Sequence, residues 1–475
     1  MSLPLPAARR IGTPTMLAYA VGAVAYGVKD NGFGTFLLLF YNQVVGLPSA
    51  TVGLVIMAAL VLDAMIDPAV GVLSDRTRGR WGRRHPWMYA AALPIAIGWM
   101  LLWHPPVGWA EPALLAWLFV TAVVVRSAVS CYEVPSVALT PELSTDYDER
   151  TRIMAYRYLF GWMGGLAMLL AAYTVFLVPS AGEPNGLLNR GGYASYAIAG
   201  AIVMAAAILI SAAGTHRQIP KLPQAGAVTT TIGGAFREML QSMNNRGFAI
   251  LMLGGLTLYT NQGISFALSN YLYTYVWRFP ASAFVMLTGT LLLGVAIAFV
   301  AAPRIGKATS KPRAASRLVL AGTLLLILPY VLRLAGLFPP PESPVMLPLL
   351  FAIFTINTAC SVSGMILAAS MMADVVEASE AETGRRSEGV FFAGSFFIQK
   401  CTSGVGIFAA GAILALAGFP AAAKPGLVPV ETIDRLTIVY VCIYAILGCV
   451  TALVLSRFPF GRGEHAARLE RLAAG

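Results

Sequence analysis

Five charged side chains lie inside apolar stretches in the first third of the chain: Lys29, Asp30, Asp63, Asp67 and Glu133. An ionisable group at membrane depth is costly, so it usually lines a cavity, pairs with another charge and marks the path of an ion or solute. Asp63 and Asp67 are four residues apart, which places both carboxylates on one face of a helix, one turn from each other. Two such carboxylates provide oxygen ligands for a small cation or accept a proton. We therefore expect a cation site at this pair, which would be a metal site if the ion is Na+.

Other polar groups fall at a similar depth. Ser130 lies one turn before Glu133 and is a candidate oxygen ligand, or it bonds its own helix. Glu133 and Arg157 lie on successive spans joined by a short loop, so we expect them to approach each other, as part of a site or as a structural ion pair. Lys400 lies about 16 Å inside its span at the rise of an α-helix. The shared depth of these groups indicates one central cavity.

The acidic pair also has a structural interpretation. Asp63 and Asp67 repel each other unless a cation or proton lies between them, and Arg157 or Lys29 would neutralise them without any transported ion. Arg126 lies near the outer end of its span, where a long basic side chain typically extends to the membrane surface. Its position therefore favours anchoring over a role in the site.

Composition identifies the class of protein. Of 475 residues, 57% are apolar and 12% are charged, and the mean hydropathy is +0.72. A soluble domain carries about 25% charged residues, so repeated apolar runs of about 20 residues predict a membrane protein with many spans. The net charge of +11 lies mostly in short loops, which is typical of membrane topology and does not indicate a nucleic-acid partner.

Twelve spans are predicted, so the fold class is an all-α membrane protein. Of the 33 basic residues, 24 lie at one set of span ends and five at the other. The first set is therefore expected to be cytoplasmic, with both termini inside the cell. The predicted spans are residues 16–41, 50–74, 87–103, 112–140, 153–177, 193–214, 248–277, 284–302, 316–332, 346–375, 389–417 and 433–456.

The spans divide into two sets of six. We predict an N-terminal six-helix bundle with the cation site at residues 1–215, a cytoplasmic linker at 216–246, and a C-terminal bundle with a short tail at 247–475. A weak repeat supports this division, because Leu47-Pro48-Ser49 and Phe279-Pro280-Ala281 follow the first spans of the two halves. Parallel six-helix repeats with a site near the membrane midplane are an established transporter layout.

A basic loop follows the second span. Asp75, Arg80, Arg83 and Arg84 are suited to ion pairs with other helix ends, so we expect them to form a cytoplasmic gate, although part of this charge only sets topology. The chain contains no phosphate-binding loop, catalytic triad or zinc motif. The sequence therefore predicts neither an enzyme nor an ATP-driven pump, and no cofactor beyond a coupling ion, Na+ or H+.

Six groups of residues, taken in chain order, resemble the glycoside–pentoside–hexuronide:cation symporters of the major facilitator superfamily, and together they cover most of the chain. They are Lys29-Asp30 with Tyr41-Asn42-Gln43-Val44-Val45-Gly46-Leu47, Asp63-Ala64-Met65-Ile66-Asp67-Pro68, Arg80-Trp81-Gly82-Arg83-Arg84-His85-Pro86-Trp87, Glu133-Val134-Pro135, Ala155-Tyr156-Arg157, and Thr383-Gly384-Arg385-Arg386-Ser387-Glu388-Gly389 with Lys400 downstream.

The resemblance implies a role for each group. The counterparts of Asp63, Asp67, Glu133 and Ser130 hold the coupling cation in this family. The counterparts of Asp30, Glu133 and Arg157 bind sugar hydroxyls with help from Lys29, and the counterpart of Lys400 couples the two halves. We expect Lys29, Asp30, Glu133, Arg157 and Lys400 to bind the solute.

Two residues depart from the family pattern. Ile66 replaces an asparagine beside the cation, and Val137 replaces a tryptophan beside the sugar. The sequence thus leaves Na+ and H+ open as coupling ions and disfavours the best-known sugar of the family as the solute.

We therefore expect a cation-coupled symporter of a sugar or glycoside-like solute that works by alternating access in the cell membrane. Its partners would be that solute, a monovalent cation and the lipid bilayer, and the transporter would act as a monomer. The alternative within transport is a cation-coupled carrier of a lysolipid or other amphiphilic anion, in which Lys400 would hold the headgroup charge. A channel or sensor built on the same fold is the alternative from another class.

Overall fold

A computed structural model describes residues 11–144, 146–180, 182–222, 245–383 and 388–459, together with 233–234 and 237. In these residues every regular element is a helix, apart from one isolated β-bridge between Ser180 and Glu183. The prediction of an all-α chain with twelve spans is confirmed.

The first span is segmented. It consists of α1 (Thr13–Val21), α2 (Ala23–Asn31), a π-helical turn (Gly32–Phe36), α3 (Leu37–Leu39) and a second π-helical turn (Phe40–Val44). The other eleven spans are α4 (Ser49–Arg76), α5 (His85–Leu102), α6 (Glu111–Leu143), α7 (Tyr147–Ala171), α8 (Arg190–His216), α9 (Arg246–Tyr271), α10 (Ala281–Ala308), α11 (Lys311–Leu334), α12 (Met346–Thr383), α13 (Glu388–Leu416) and α14 (Val430–Ser456). Further π-helical turns extend α7 (Ala172–Phe176) and α9 (Leu272–Val276).

Nine helices within the described residues are long and apolar enough to cross a membrane by length and composition. The first span falls outside this set because the π-helical turns divide it and because it carries Lys29 and Asp30. The two others are α5, which begins with His85 and Pro86 and is less apolar, and α9, which carries Asn261 and Asn270. The chain is therefore an integral membrane protein, and its three less apolar spans carry polar or interrupted sequence.

Local sequence sets the helix ends. Asp146, Asn189 and Asn245 accept hydrogen bonds from backbone N–H groups in the first turns of α7, α8 and α9. Such caps satisfy N–H groups that have no partner within the helix. Pro86 and Pro112 lie in the first turns of α5 and α6, where the fixed φ of proline suits a helix start.

The described chain forms two compact units. The first comprises Met1–Phe40 and Ala58–Ile232. Within it α2 packs on α7 and α8, and α5 packs on α6 and α8. The close approach of α2 and α7 requires glycine, because a Cβ atom at Gly27 would lie 2.0 Å from the carbonyl oxygen of Gly161. This contact fixes the depth of the charged end of α2 against α7.

The second unit comprises Tyr41–Met57 and Gly233–Gly475. Within it α9 packs on α13 and α14, and α12 packs on α10 and α11. Gln43 joins the segment after the first span to this unit. Its amide donates to the carbonyl oxygen of Pro420 (3.1 Å), and its Oε1 accepts from the Ala423 N–H (2.8 Å) and the Tyr275 hydroxyl (3.2 Å). Three hydrogen bonds of the Gln43 side chain therefore join separate parts of the sequence.

The weak sequence repeat corresponds to a repeated local structure. The π-helical turns Phe40–Val44 and Leu272–Val276 occupy equivalent positions before the two proline motifs. The same hydrogen bond closes both turns, from the N–H before the proline to a carbonyl six residues earlier (Leu47 to Tyr41 and Phe279 to Tyr273, both 2.9 Å). The two halves thus share a backbone feature that hydropathy alone does not predict.

Candidate functional site

The acidic residue Asp63 of α4 is held by two side chains of α6. Its Oδ2 accepts hydrogen bonds from Arg126 Nε at 2.9 Å and from Arg126 Nη2 at 2.7 Å. Its Oδ1 accepts a hydrogen bond from the Ser130 hydroxyl at 2.8 Å. Asp63 is 2% exposed and Arg126 is 4% exposed, so this is an ion pair inside the first unit.

Arg126 is the residue for which sequence reasoning was wrong. Its guanidinium does not extend to the surface but lies buried on Asp63, with its Cζ atom 5.2 Å from the centre of the Phe33 ring. A signal was available, because Arg126, Ser130 and Glu133 are spaced four and three residues apart and therefore share one face of α6. Lys29 or Arg157 was expected to neutralise the acidic pair, but the cation that pairs with Asp63 is Arg126.

Lys29 and Asp30 end the regular part of the first span. Lys29 is buried and its Nζ lies 2.9 Å from Asp30 Oδ1 and 4.2 Å from the centre of the Tyr26 ring. The Asp30 side chain is 51% exposed, so its carboxylate is open to a solute. The π-helical turn that begins at Gly32 follows at once, and π-turns are frequent at functional sites.

Arg157 of α7 lies beside Glu133 of α6, as the sequence predicts. The distance from Arg157 Nη2 to Glu133 Oε1 is 3.8 Å. Arg157 Nη1 also donates to the Ser136 hydroxyl at 2.7 Å, and its Cζ atom lies 5.6 Å from the centre of the Tyr19 ring. Ser136 and Tyr19, which the sequence analysis did not include, hold the buried guanidinium in place.

Away from the helix ends, the membrane helices of the first unit carry seven Asp, Glu, Lys or Arg side chains. Asp67 lies half-buried on α4, one helical turn after Asp63. The set comprises four carboxylates and three basic side chains, which leaves one negative charge: Asp30, Asp63, Asp67 and Glu133 against Lys29, Arg126 and Arg157. Such a set can accept one further positive charge from a cation, a solute or another part of the chain.

The basic loop after α4 forms ion pairs with the end of α6. Arg84 Nη2 lies 2.5 Å from Asp75 Oδ1 and 3.1 Å from Glu142 Oε1. Arg83 Nη2 lies 2.7 Å from the same oxygen of Glu142. Arg80 is exposed and does not join these pairs. The sequence analysis did not include Glu142, which connects the loop to another helix.

Lys400 belongs to the second unit, where it lies half-buried on α13. Its predicted position opposite the acidic residues stays a prediction. The last motif of the resemblance is only partly visible, because residues 384–387 lie outside the described residues.

Comparison with known proteins places the chain in a family. The family described as MFS/sugar transport protein matches residues 18–462. An uncharacterized symporter of Synechocystis sp. is 26% identical, with 98% of each chain covered. The isoprimeverose transporter of Lactiplantibacillus pentosus is 24% identical over 85% of this chain and 80% of its own length. These relatives span nearly all of the predicted helices.

Two further comparisons bear on fold and solute. The crystal structure of a D-xylose-proton symporter superposes with a TM-score of 0.62 at 13% identity and covers 94% of this chain and 97% of that one, which shows a shared fold. A sodium-dependent lysophosphatidylcholine symporter of Danio rerio is 30% identical, but over only 32% of this chain and 29% of its own length. The chain belongs to the MFS/sugar transport protein family, which confirms the resemblance to glycoside–pentoside–hexuronide:cation symporters and makes it a transporter rather than an enzyme.

Proposed function

We propose that the chain is a secondary active transporter that couples the movement of a sugar or glycoside-like solute to the flow of a monovalent cation by alternating access. The observation that carries this proposal is the set of buried charges on membrane-spanning helices of a chain from a sugar transport family. Charges at this depth are rare unless they serve a substrate or ion path. The curated relatives are named as symporters or sugar transporters over most of the chain.

The solute is proposed to bind at Lys29, Asp30, Glu133 and Arg157. Carboxylates accept hydrogen bonds from sugar hydroxyls, and a guanidinium donates several in a fixed geometry. The exposed Asp30 carboxylate and the Glu133 carboxylate, which lies 3.8 Å from Arg157 Nη2, offer both kinds of group within the first unit.

The coupling cation is proposed to act at Asp63, Asp67, Glu133 and Ser130, whose side chains all offer oxygen atoms. Symport requires that the cation and the solute together favour a change of state that neither favours alone, and the available shift is bounded by the difference in affinity between states. A site with one uncompensated negative charge meets this requirement, because the cation neutralises it. Lys400 is proposed to respond to that change of charge from the C-terminal half.

The remaining expectations belong to the same proposal. Asp75, Arg83 and Arg84, with the exposed Arg80, form the cytoplasmic gate. Both termini are cytoplasmic, the membrane is the cell (inner) membrane, and one chain is sufficient for transport. The N-terminal bundle ends near residue 215, and residues 216–246 link it to the C-terminal bundle; residues 223–232, 235–236 and 238–244 of this linker lie outside the described residues.

Reconstitution into proteoliposomes tests the proposal. Vesicles preloaded with an unlabelled glycoside should take up the same glycoside in labelled form transiently against its gradient, because only a carrier exchanges solute in this way. An imposed H+ or Na+ gradient should drive net accumulation. A panel of pentosides, hexosides and disaccharides identifies the solute, and displacement by lysophosphatidylcholine but by no sugar would replace the proposal with the lysolipid alternative. Uptake without exchange would indicate a channel.

A further inference from the structure

The ion pair between Asp63 and Arg126 bears directly on the identity of the coupling ion. We propose that Arg126 provides, as a permanent part of the protein, the positive charge that a metal cation would bring to Asp63, so that transport does not require Na+ or Li+. The inference rests on the proposed function, because it concerns the cation of the same symport.

Groups of the protein itself already occupy the Asp63 carboxylate. Both guanidinium contacts fall on Oδ2, and Ser130 donates to Oδ1. A metal ion bound to this carboxylate would need at least one of these oxygens with a lone pair directed at it. The Asp63 carboxylate, expected to bind a cation, instead accepts hydrogen bonds from Arg126 and from the Ser130 hydroxyl.

Displacing Arg126 from Asp63 would cost free energy. The two side chains are 2% and 4% exposed, and separating a buried ion pair leaves uncompensated charges away from water. Arg126 is also held by the face of Phe33, 5.2 Å from its Cζ atom, in a cation–π contact. Na+ would have to replace a charge of the same sign that is already bonded and covered.

In the part of the chain that the structure describes, the other carboxylates of the first unit do not form a shared metal site with Asp63. Within the described residues no group of three or more histidine, cysteine or acidic side chains lies close enough to hold a metal ion. Glu133 lies within ion-pair distance of Arg157 and Asp30 is paired with Lys29. Three of the four deep carboxylates, those of Asp30, Asp63 and Glu133, thus each lie beside a basic side chain.

Thermal unfolding of the purified protein tests this inference without any solute. Unfolding is compared in NaCl, LiCl and choline chloride at equal ionic strength, because an ion that binds only the folded state raises the unfolding temperature. We expect no difference among the salts for the unchanged protein. Arg126→Gln, which leaves Asp63 without its cation, should gain a Na+-dependent rise of about 2 °C or more.

Two variants control the experiment. Arg126→Lys keeps the positive charge and should remain indifferent to Na+. Arg333→Gln removes the arginine of another ion pair, with Asp434 at 2.9 Å in the second unit, and should produce no Na+ dependence. An Arg126→Gln protein that survives purification only in NaCl also supports the inference, since Na+ then replaces the missing charge.

Several outcomes would overturn the inference. The first is a saturable, Na+-specific stabilisation of the unchanged protein. The second is an Arg126→Gln protein whose unfolding temperature is the same in all three salts, including one that is destabilised equally in all of them. The third is an Arg126→Lys protein that becomes Na+-dependent. Failure of the proposed function looks different, because it appears as absent glycoside exchange in proteoliposomes, whatever the unfolding temperatures are.

Discussion

At the scale of single residues, the site separates into an enclosed part and an open part. Asp63 and Arg126 are almost fully buried and bonded to each other. Asp30 is half exposed although its partner Lys29 is buried. A buried ion pair holds a helix pair in one arrangement, whereas an exposed carboxylate can exchange water for a sugar hydroxyl. We infer that the solute binds to Asp30 and Arg157, and that Asp63 contributes to the net charge of the site without contacting the solute.

The first prediction tests this separation. Asp30→Asn and Arg157→Ala should each weaken glycoside binding by at least about tenfold, since hydrogen bonds to charged groups contribute about 1.5–3 kcal/mol. Titration calorimetry of the purified variants with the glycoside from the exchange screen measures the change. Arg152→Ala is the matched control, because Arg152 is exposed and lies 3.7 Å from Glu149. Unchanged glycoside affinity in both site variants would show that these residues only balance charge.

At the scale of elements, two helices meet because of glycine. A Cβ atom at Gly27 of α2 would lie 2.0 Å from the carbonyl oxygen of Gly161 on α7, and one at Gly165 would lie 3.0 Å from the Gly27 carbonyl oxygen. Small residues let membrane helices approach closely. This approach brings Asp30 and Arg157, which lie on the two helices, into one unit.

The second prediction concerns this contact. Gly27→Ala should lower the unfolding temperature in detergent and reduce glycoside exchange, because backbone atoms of α7 would have to move. Gly289→Ala is the control, since nothing lies within 4 Å of a Cβ atom there. Alanine in a free helix position is favoured over glycine by about 1 kcal/mol, so the control should be neutral or stabilised. Equal effects of the two substitutions would refute the packing argument.

The third prediction concerns the loop after α4. One carboxylate oxygen of Glu142 forms ion pairs with both Arg83 and Arg84. Glu142→Gln removes that charge and should therefore release both arginines from the end of α6. We expect faster solute exchange but poorer accumulation if these pairs hold one state closed. The two rates can be measured in the same proteoliposomes, and Glu342→Gln, in an exposed pair with Arg278, serves as control. A variant with unchanged exchange and accumulation would assign the pairs to topology alone.

At the scale of the whole molecule, hydropathy and charge predicted most of what the fold contains. Apolar runs gave twelve spans because length and burial in lipid constrain each helix independently. The π-helical turns after Asn31 and before the two proline motifs were not predictable, since they depend on backbone packing. The spacing of Arg126, Ser130 and Glu133 places them on one face of α6, but it does not say which distant helix that face meets, so the pairing of Arg126 with Asp63 was missed. Depth along a helix can be counted from the sequence, but the face that a distant helix presents cannot.

Lys400 gives the fourth prediction, which concerns how the two halves act together. It is a basic residue on α13, whereas the first unit carries one uncompensated negative charge on its membrane helices. If Lys400 responds to that charge, then binding of a cation removes the attraction and shifts the balance between closed states by no more than the difference in cation affinity between them. Lys400→Gln should then retain exchange of labelled glycoside but accumulate at least about tenfold less against a gradient.

The control for this prediction is Lys424→Gln, which removes an exposed lysine of the same unit. Expression, unfolding temperature, exchange and accumulation are measured for both variants. A lysine that only neutralises buried charge predicts poor folding of Lys400→Gln, with exchange and accumulation lost in equal proportion. A well-folded variant that accumulates the glycoside fully would exclude a coupling role. Selective loss of accumulation, in contrast, would support a coupling role for Lys400, because only accumulation depends on cation flow, and that dependence distinguishes a symporter from a facilitator.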